Sequence, residues 1–166
     1  MRGFTLIEII VYIVILTVLS AVAVNTILLV QSSLAEIRIT RTLSGAAAVA
    51  MERMARQARD AKSADIGAST FGVSPGVLSL TGSESPALTH RFSVDGGALK
   101  LESGGSPALT LTPPGVAVTN LSFHFIAAAT TSQAVKIELT LAASTGRATT
   151  TQNFYGTAVL RNSYVQ

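Results

Sequence analysis

The chain has 166 residues, enough for one domain and too few for two comfortable ones. Apolar residues make up 48% and charged residues 13%, the latter roughly half the usual share in soluble proteins. Mean hydropathy is +0.49. This composition excludes a disordered chain and argues against a plain soluble enzyme. The chain has no Cys, which excludes a disulfide framework, a Cys-based zinc site and a thiol nucleophile. A formal net charge of +3 permits nucleic-acid binding without indicating it.

The apolar surplus sits at one end. No charged residue occurs between Glu8 and Glu36, and Ile9 to Val30 reads IIVYIVILTVLSAVAVNTILLV. As a helix this run rises about 33 Å, enough to cross a bilayer core of about 30 Å. Only Tyr12, Thr17, Ser20, Asn25 and Thr26 interrupt it with polar atoms. A buried helix of so small a domain is seldom apolar all round for so long. The run is therefore a membrane segment or a secretory signal. Arg2, Ile9 to Leu19 and Ala21-Val22-Ala23 would serve a cleaved signal. Against that reading stand Glu8 at the start of the apolar region and its continuation through Ile27, Leu28, Leu29 and Val30.

Beyond Val30 the helical signal continues with a different character. Ile39, Leu43, Ala46, Ala50, Met54, Ala58 and Ala61 recur at spacings of three and four and mark one apolar stripe. Arg53, Arg56, Arg59 and Lys62 step by three along a neighbouring polar side. The pattern predicts one continuous helix from about Thr5 to about Ala64. Its first half, through residue 30, is apolar all round and long enough to span a membrane, and residues 31–64 are its amphipathic continuation.

From Gly67 onward the period shifts to two. Leu88, His90, Phe92 and Val94 alternate with polar residues, and Asp95-Gly96-Gly97 turns into Ala98 to Glu102, a hairpin signal. Further strands are predicted at Leu109 to Thr112, Val118 to Ile126, Val135 to Leu141 and Tyr155 to Arg161. Gly-, Ser-, Thr- and Pro-rich stretches separate them, notably Ser103 to Pro107 and Ala142 to Thr151. A half-buried antiparallel sheet needs an apolar cover, and the Ile39 to Ala61 stripe supplies one. The expected fold class is α+β, with one long N-terminal helix packed on an antiparallel sheet domain over residues 65–166.

Arg2-Gly3-Phe4-Thr5-Leu6-Ile7-Glu8, followed by an apolar helix, resembles the leader and mature start of type IV prepilins and pseudopilins. Residues 51–61, Asn120-Leu121-Ser122-Phe123, Val135 to Leu141 and Leu160-Arg161-Asn162 look like J-type minor pseudopilins and related minor pilins. The resemblance implies a leader of residues 1–3 and a prepilin peptidase that cuts between Gly3 and Phe4 and methylates the new amine of Phe4. It implies that Glu8 pairs with the N-terminal amine of a neighbouring subunit during fibre assembly. The implied partners are other pilin subunits, an inner-membrane assembly platform and the lipid bilayer, with the C-terminal domain outside the cytoplasm. Type II secretion, type IV pilus and competence machines all use such subunits. Two departures stand out: Asn25 occupies the place where a helix-bending proline is often found, and the C-terminal disulfide loop of many major pilins has no Cys here. The competing reading is a binding module held by an uncleaved signal anchor.

The remaining motifs point away from catalysis. Gly72-Val73-Ser74-Pro75-Gly76 matches a nucleophile elbow by letters, but Pro75 lacks the N–H that such an elbow uses as an oxyanion donor. His90 is expected in the core and His124 on the surface, neither with a partner at metal-ligand spacing. Asn120-Leu121-Ser122 is a glycosylation sequon that falls within a predicted strand. The Arg53 to Lys62 row invites a DNA-uptake reading, yet Glu52 and Asp60 share the stretch and no aromatic residue interleaves to stack bases. No cofactor, metal or nucleic-acid partner is expected.

Overall fold

A computed structural model describes residues 5–83, 86–128, 132–145 and 148–160. The expected leader, Phe4 and the Arg161-Asn162 pair lie outside them. Helix α1 (Leu6–Asp60) is followed by eight strands: β1 (Ala61–Ala64), β2 (Leu78–Gly82), β3 (Thr89–Asp95), β4 (Ala98–Ser103), β5 (Leu109–Thr110), β6 (Val116–Ala128), β7 (Ser132–Thr145) and β8 (Ala148–Leu160). The fold is α+β, a long N-terminal helix packed on antiparallel sheet. Contacts divide the chain into two compact units, residues 1–38 and 39–166, so α1 contributes to both.

In the second unit the helix presents one stripe to the interior. Ile39, Leu43, Ala46, Ala47, Ala50, Met54 and Ala58 are buried, the last three completely. They share a core with Leu78, Leu80 and Phe92 of one sheet and with Leu121, Phe123 and Ile137 of the other. Most of the helix positions are alanines, so the backbone lies close to the strands. A Cβ built on Gly156 of β8 would stand 2.5 Å from Met51 Cε of the helix.

The strands form two sheets, where the sequence pattern suggests one. The first has order β1-β2-β3-β4-β5 and the second β6-β7-β8, all neighbours antiparallel. The expected hairpin joins β3 and β4 with Asp95 opposite Ala98. Its two central residues, Gly96 and Gly97, have φ of 59° and 75°, the left-handed pair that a tight hairpin of matching twist requires. Single backbone hydrogen bonds tie turns and loops of the first sheet to β6: Val118 N–H donates to Gly97 C=O of the β3–β4 turn, and Gly72 N–H and Gly76 N–H of the β1–β2 loop donate to Phe123 C=O and Leu121 C=O.

The helix ends at Asp60, four residues before the expected end at Ala64. Ala61 and Ala64 are buried instead as a strand against β2, in register with Gly82 and Leu80. Alanine favours a helix, but here strand pairing plus burial of both methyls wins over propensity. Asp65 then turns the chain, its Oδ1 accepting from the Gly67 and Ala68 N–H groups at 3.0 and 3.1 Å. Strand β2 was not anticipated, because Leu78, Ser79 and Leu80 are all buried and the period of two is absent. The stretches Ala142 to Thr145 and Ala148 to Thr151, read as separators, pair with one another and lengthen β7 and β8.

Two substitutions test this division of α1. Leu43→Ala removes a fully buried side chain and should destabilise the domain by about 2–5 kcal/mol. Leu16→Ala, at a site 64% exposed, should stay within about 0.5 kcal/mol. Urea unfolding of both variants in detergent checks this; equal effects would contradict the assigned core.

Candidate functional site: the apolar N-terminal helix

Between Leu6 and Leu34 every residue is exposed except Glu8, which is half-buried. The aliphatic side chains from Ile9 to Val30 stand between 49% and 70% exposed. Each such side chain left in water forgoes about 1 kcal/mol of burial, so the run as a whole forgoes on the order of 10–20 kcal/mol. That rivals the entire net stability of a domain, about 5–15 kcal/mol. The segment is long and apolar enough to cross a membrane, and none of it is buried among the described residues.

The polar groups on this stretch are arranged to suit an apolar surrounding. Thr17 Oγ1 donates to Ile13 C=O at 2.8 Å, and Thr26 Oγ1 to Val22 C=O at 2.9 Å, one turn back in each case. Both hydroxyls are satisfied within the helix itself. Tyr12 OH donates to Glu8 Oε1 at 3.3 Å across one turn. That contact explains why Glu8 is partly covered. Glu8 lies in the first turn of α1, where a carboxylate complements the positive end of the helix dipole. Its other oxygen has no hydrogen bond among the described residues. Asn25 likewise makes no side-chain hydrogen bond among them. An amide moved from water to an apolar medium without partners costs roughly 2–7 kcal/mol.

Residues 1–24 match a protein-family model, the prokaryotic N-terminal methylation motif. That motif is the signature of type IV pilins and pseudopilins, a family of structural rather than catalytic proteins. No curated protein and no solved structure matches the chain. The matched residues include Gly3 and Phe4, which lie outside the described residues, and Glu8, which lies within them.

The other residues singled out from sequence are dispersed. His90 is half-buried, and its Nδ1 lies 2.9 Å from Ser103 Oγ on the paired strand, a cross-strand contact at the rim of the core rather than within it. His124, expected on the surface, is partly exposed, with Nε2 3.8 Å from Glu138 Oε1. Ser74 Oγ accepts from the Leu121 N–H at 3.3 Å, so this serine helps tie its loop to β6. Asn120 falls within β6, beside a bulge. Arg53, Arg56, Arg59 and Lys62 are exposed, and Arg56 is paired with Glu52 one turn back. Among the described residues, no three His, Asp or Glu side chains converge as metal ligands would. An open groove beside Ala46, Val49, Leu111 and Pro113 carries no charged side chain.

Sequence reading missed one cross-strand cluster. Lys136 Nζ meets Glu138 Oε1 at 2.7 Å, and Ser122 Oγ donates to Glu138 Oε2 at 3.3 Å. Lys136 and Glu138 stand two apart on β7, so alternation alone puts them side by side on one face; register was needed to set Ser122 of β6 opposite Glu138. The Lys136 ammonium holds the Glu138 carboxyl below the usual carboxylate range, chiefly by its hydrogen bond, and His124 and Ser122 act in the same direction. A depressed acid pKa contributes stability above the ordinary carboxylate value, and that contribution is lost as pH falls through the folded value. Lys136→Met should therefore raise the Glu138 pKa toward the ordinary value in a carboxyl NMR titration. An unmoved titration would show that the pair does not form in solution.

Proposed function

We propose that this chain, which carries the type IV pilin and pseudopilin signature at its N-terminus, is a minor pilin or pseudopilin. In this reading Ile9 to Val30 first crosses the inner membrane, with the β-domain outside the cytoplasm. A prepilin peptidase removes residues 1–3 by cutting between Gly3 and Phe4, and the new amine of Phe4 is methylated. Gly3 suits the cut because a residue without a side chain lets extended backbone enter a protease cleft. The helix then leaves lipid and packs among the helices of other subunits, drawn out by an inner-membrane assembly platform into a pilus or secretion pseudopilus. Exchange of one apolar surrounding for another changes little free energy, so the same surface serves both states.

The observation that carries this reading is the matched motif over residues 1–24 on a helix whose aliphatic surface is bare from Ile9 to Val30. Glu8 gives it a mechanism. A carboxylate deep in hydrocarbon costs about 2.5–3.5 kcal/mol, less near the interface, and a cationic partner offsets that cost. The free amine of a processed neighbour is such a cation, and methylation leaves its charge in place. Glu8 has carboxylate capacity left beyond its contact with Tyr12.

Intact-mass measurement of protein from native membranes should show loss of Met1 to Gly3 and gain of one methyl group. A retained N-terminus would favour a signal-anchored binding module, and a start at Val24 a secreted protein. Gly3→Leu should accumulate full-length precursor; normal processing would contradict the assigned cut. Glu8→Ala should insert into membranes normally and fail to enter fibres in a shearing assay. Unchanged incorporation would remove the role assigned to Glu8.

A further inference from the structure

Five polar side chains interrupt the apolar run of α1, and the structure separates them. Tyr12, Thr17 and Thr26 are bonded within the helix. Ser20 and Asn25 have no side-chain partner among the described residues. A serine hydroxyl needs only to rotate to bond the carbonyl one turn back, as Thr17 and Thr26 do. Asn25 is different. Its amide has two N–H donors and a carbonyl acceptor, and the backbone donors around it are already used by the helix. Nor can it reach water from within a bilayer. It lies five residues before the end of the run at Val30, about 7.5 Å along the axis, farther than so short a side chain extends.

The residues around Asn25 supply the rest of an interface. Val11, Val14, Val18, Ala21, Asn25 and Leu28 follow one another at alternating spacings of three and four, the seam of a left-handed helix pair. All six are exposed. Val11, Val18 and Asn25 occupy one position of the seven-residue repeat, and Val14, Ala21 and Leu28 the other. β-Branched residues at the first position favour two strands, and an Asn there is a known means of fixing register. Ala21, one turn from Asn25, lets two backbones approach closely.

We infer that this seam docks a second copy of the chain within the bilayer, and that the two Asn25 amides bond reciprocally and fix the register. Hydrogen-bond complementarity selects the second copy. All copies insert in the same direction, so equivalent residues lie at equal depth, and a primary amide is its own complement in donors and acceptors. The inference rests on the membrane-spanning reading of Ile9 to Val30. It describes a state of the chain in the membrane, distinct from helix packing in a fibre.

The absence of native Cys makes the test direct, since one introduced Cys reports alone. Ala21→Cys lies on the seam and Ala23→Cys on the opposite face, with the same residue type replaced in each. The purified full chain is placed in phosphatidylcholine–phosphatidylglycerol vesicles and oxidised. Ala21→Cys should give several-fold more covalent dimer than Ala23→Cys. Adding Asn25→Val should lower the association constant roughly three- to thirty-fold, the range expected for polar contacts between membrane helices. Asn25→Gln, which keeps the amide, should retain most of it. Equal cross-linking at the two positions, or no loss with Asn25→Val, overturns the inference while leaving insertion intact. Should aqueous maleimide label both positions freely in the vesicles, the membrane-spanning reading falls as well. Cross-linking of Ala21→Cys in cells to a different membrane protein alone would overturn the second-copy assignment.

Discussion

The fold is governed by an apolar helical surface that the described residues leave exposed. Between Ile9 and Val30 aliphatic side chains occur on every face, and all of them are exposed. Water is a poor solvent for that surface by an amount comparable to the stability of the whole domain. A cover of equal apolarity is therefore required, and two are physically equivalent: acyl chains or other helices. The details of the segment agree with this. Its threonines turn their hydroxyls back onto their own carbonyls, and its one acid sits at the helix start beside a tyrosine.

The same helix meets a different requirement after Arg38. There a one-sided stripe of alanines with Leu43 and Met54 faces two sheets and is buried by them. The small side chains permit close approach, and the larger ones, Phe92 and Phe123 among them, come from the strands. The core residues of the second unit all lie within residues 39–166. In the proposed assembly, an exchange of surroundings along Ile9 to Val30 therefore involves none of the residues of that core.

The parts legible in the sequence were those with a strong local period. The apolar run, the helical stripe from Ile39 to Ala58, the Gly96-Gly97 hairpin and the alternating face of Val135 to Leu141 all appear where the pattern put them. The misreadings share one cause: pairing partners that no local window contains. Ala61 to Ala64 has the composition of a helix and becomes a strand because Leu80 and Gly82 wait opposite. Strand β2 is buried on both faces, which erases alternation. The tips of β7 and β8 are small and polar, and only their mutual register makes them strands. The division into two sheets is likewise a matter of long-range register. At the candidate site, Glu8 was legible because a lone acid at the head of an apolar run is conspicuous. The unpartnered state of Asn25 required the hydrogen bonds of its neighbours, and the placing of Ser122 beside Glu138 required strand pairing.

Amide hydrogen exchange on the full chain reconstituted in lipid vesicles addresses the central physical claim most directly. If hydrocarbon covers the bare helix, amides from Ile9 to Val30 will exchange as slowly as those at the centre of β7, although their side chains are exposed. Rapid exchange along that run, with β7 still protected, would show a folded domain whose apolar helix remains in water, and the account would be wrong.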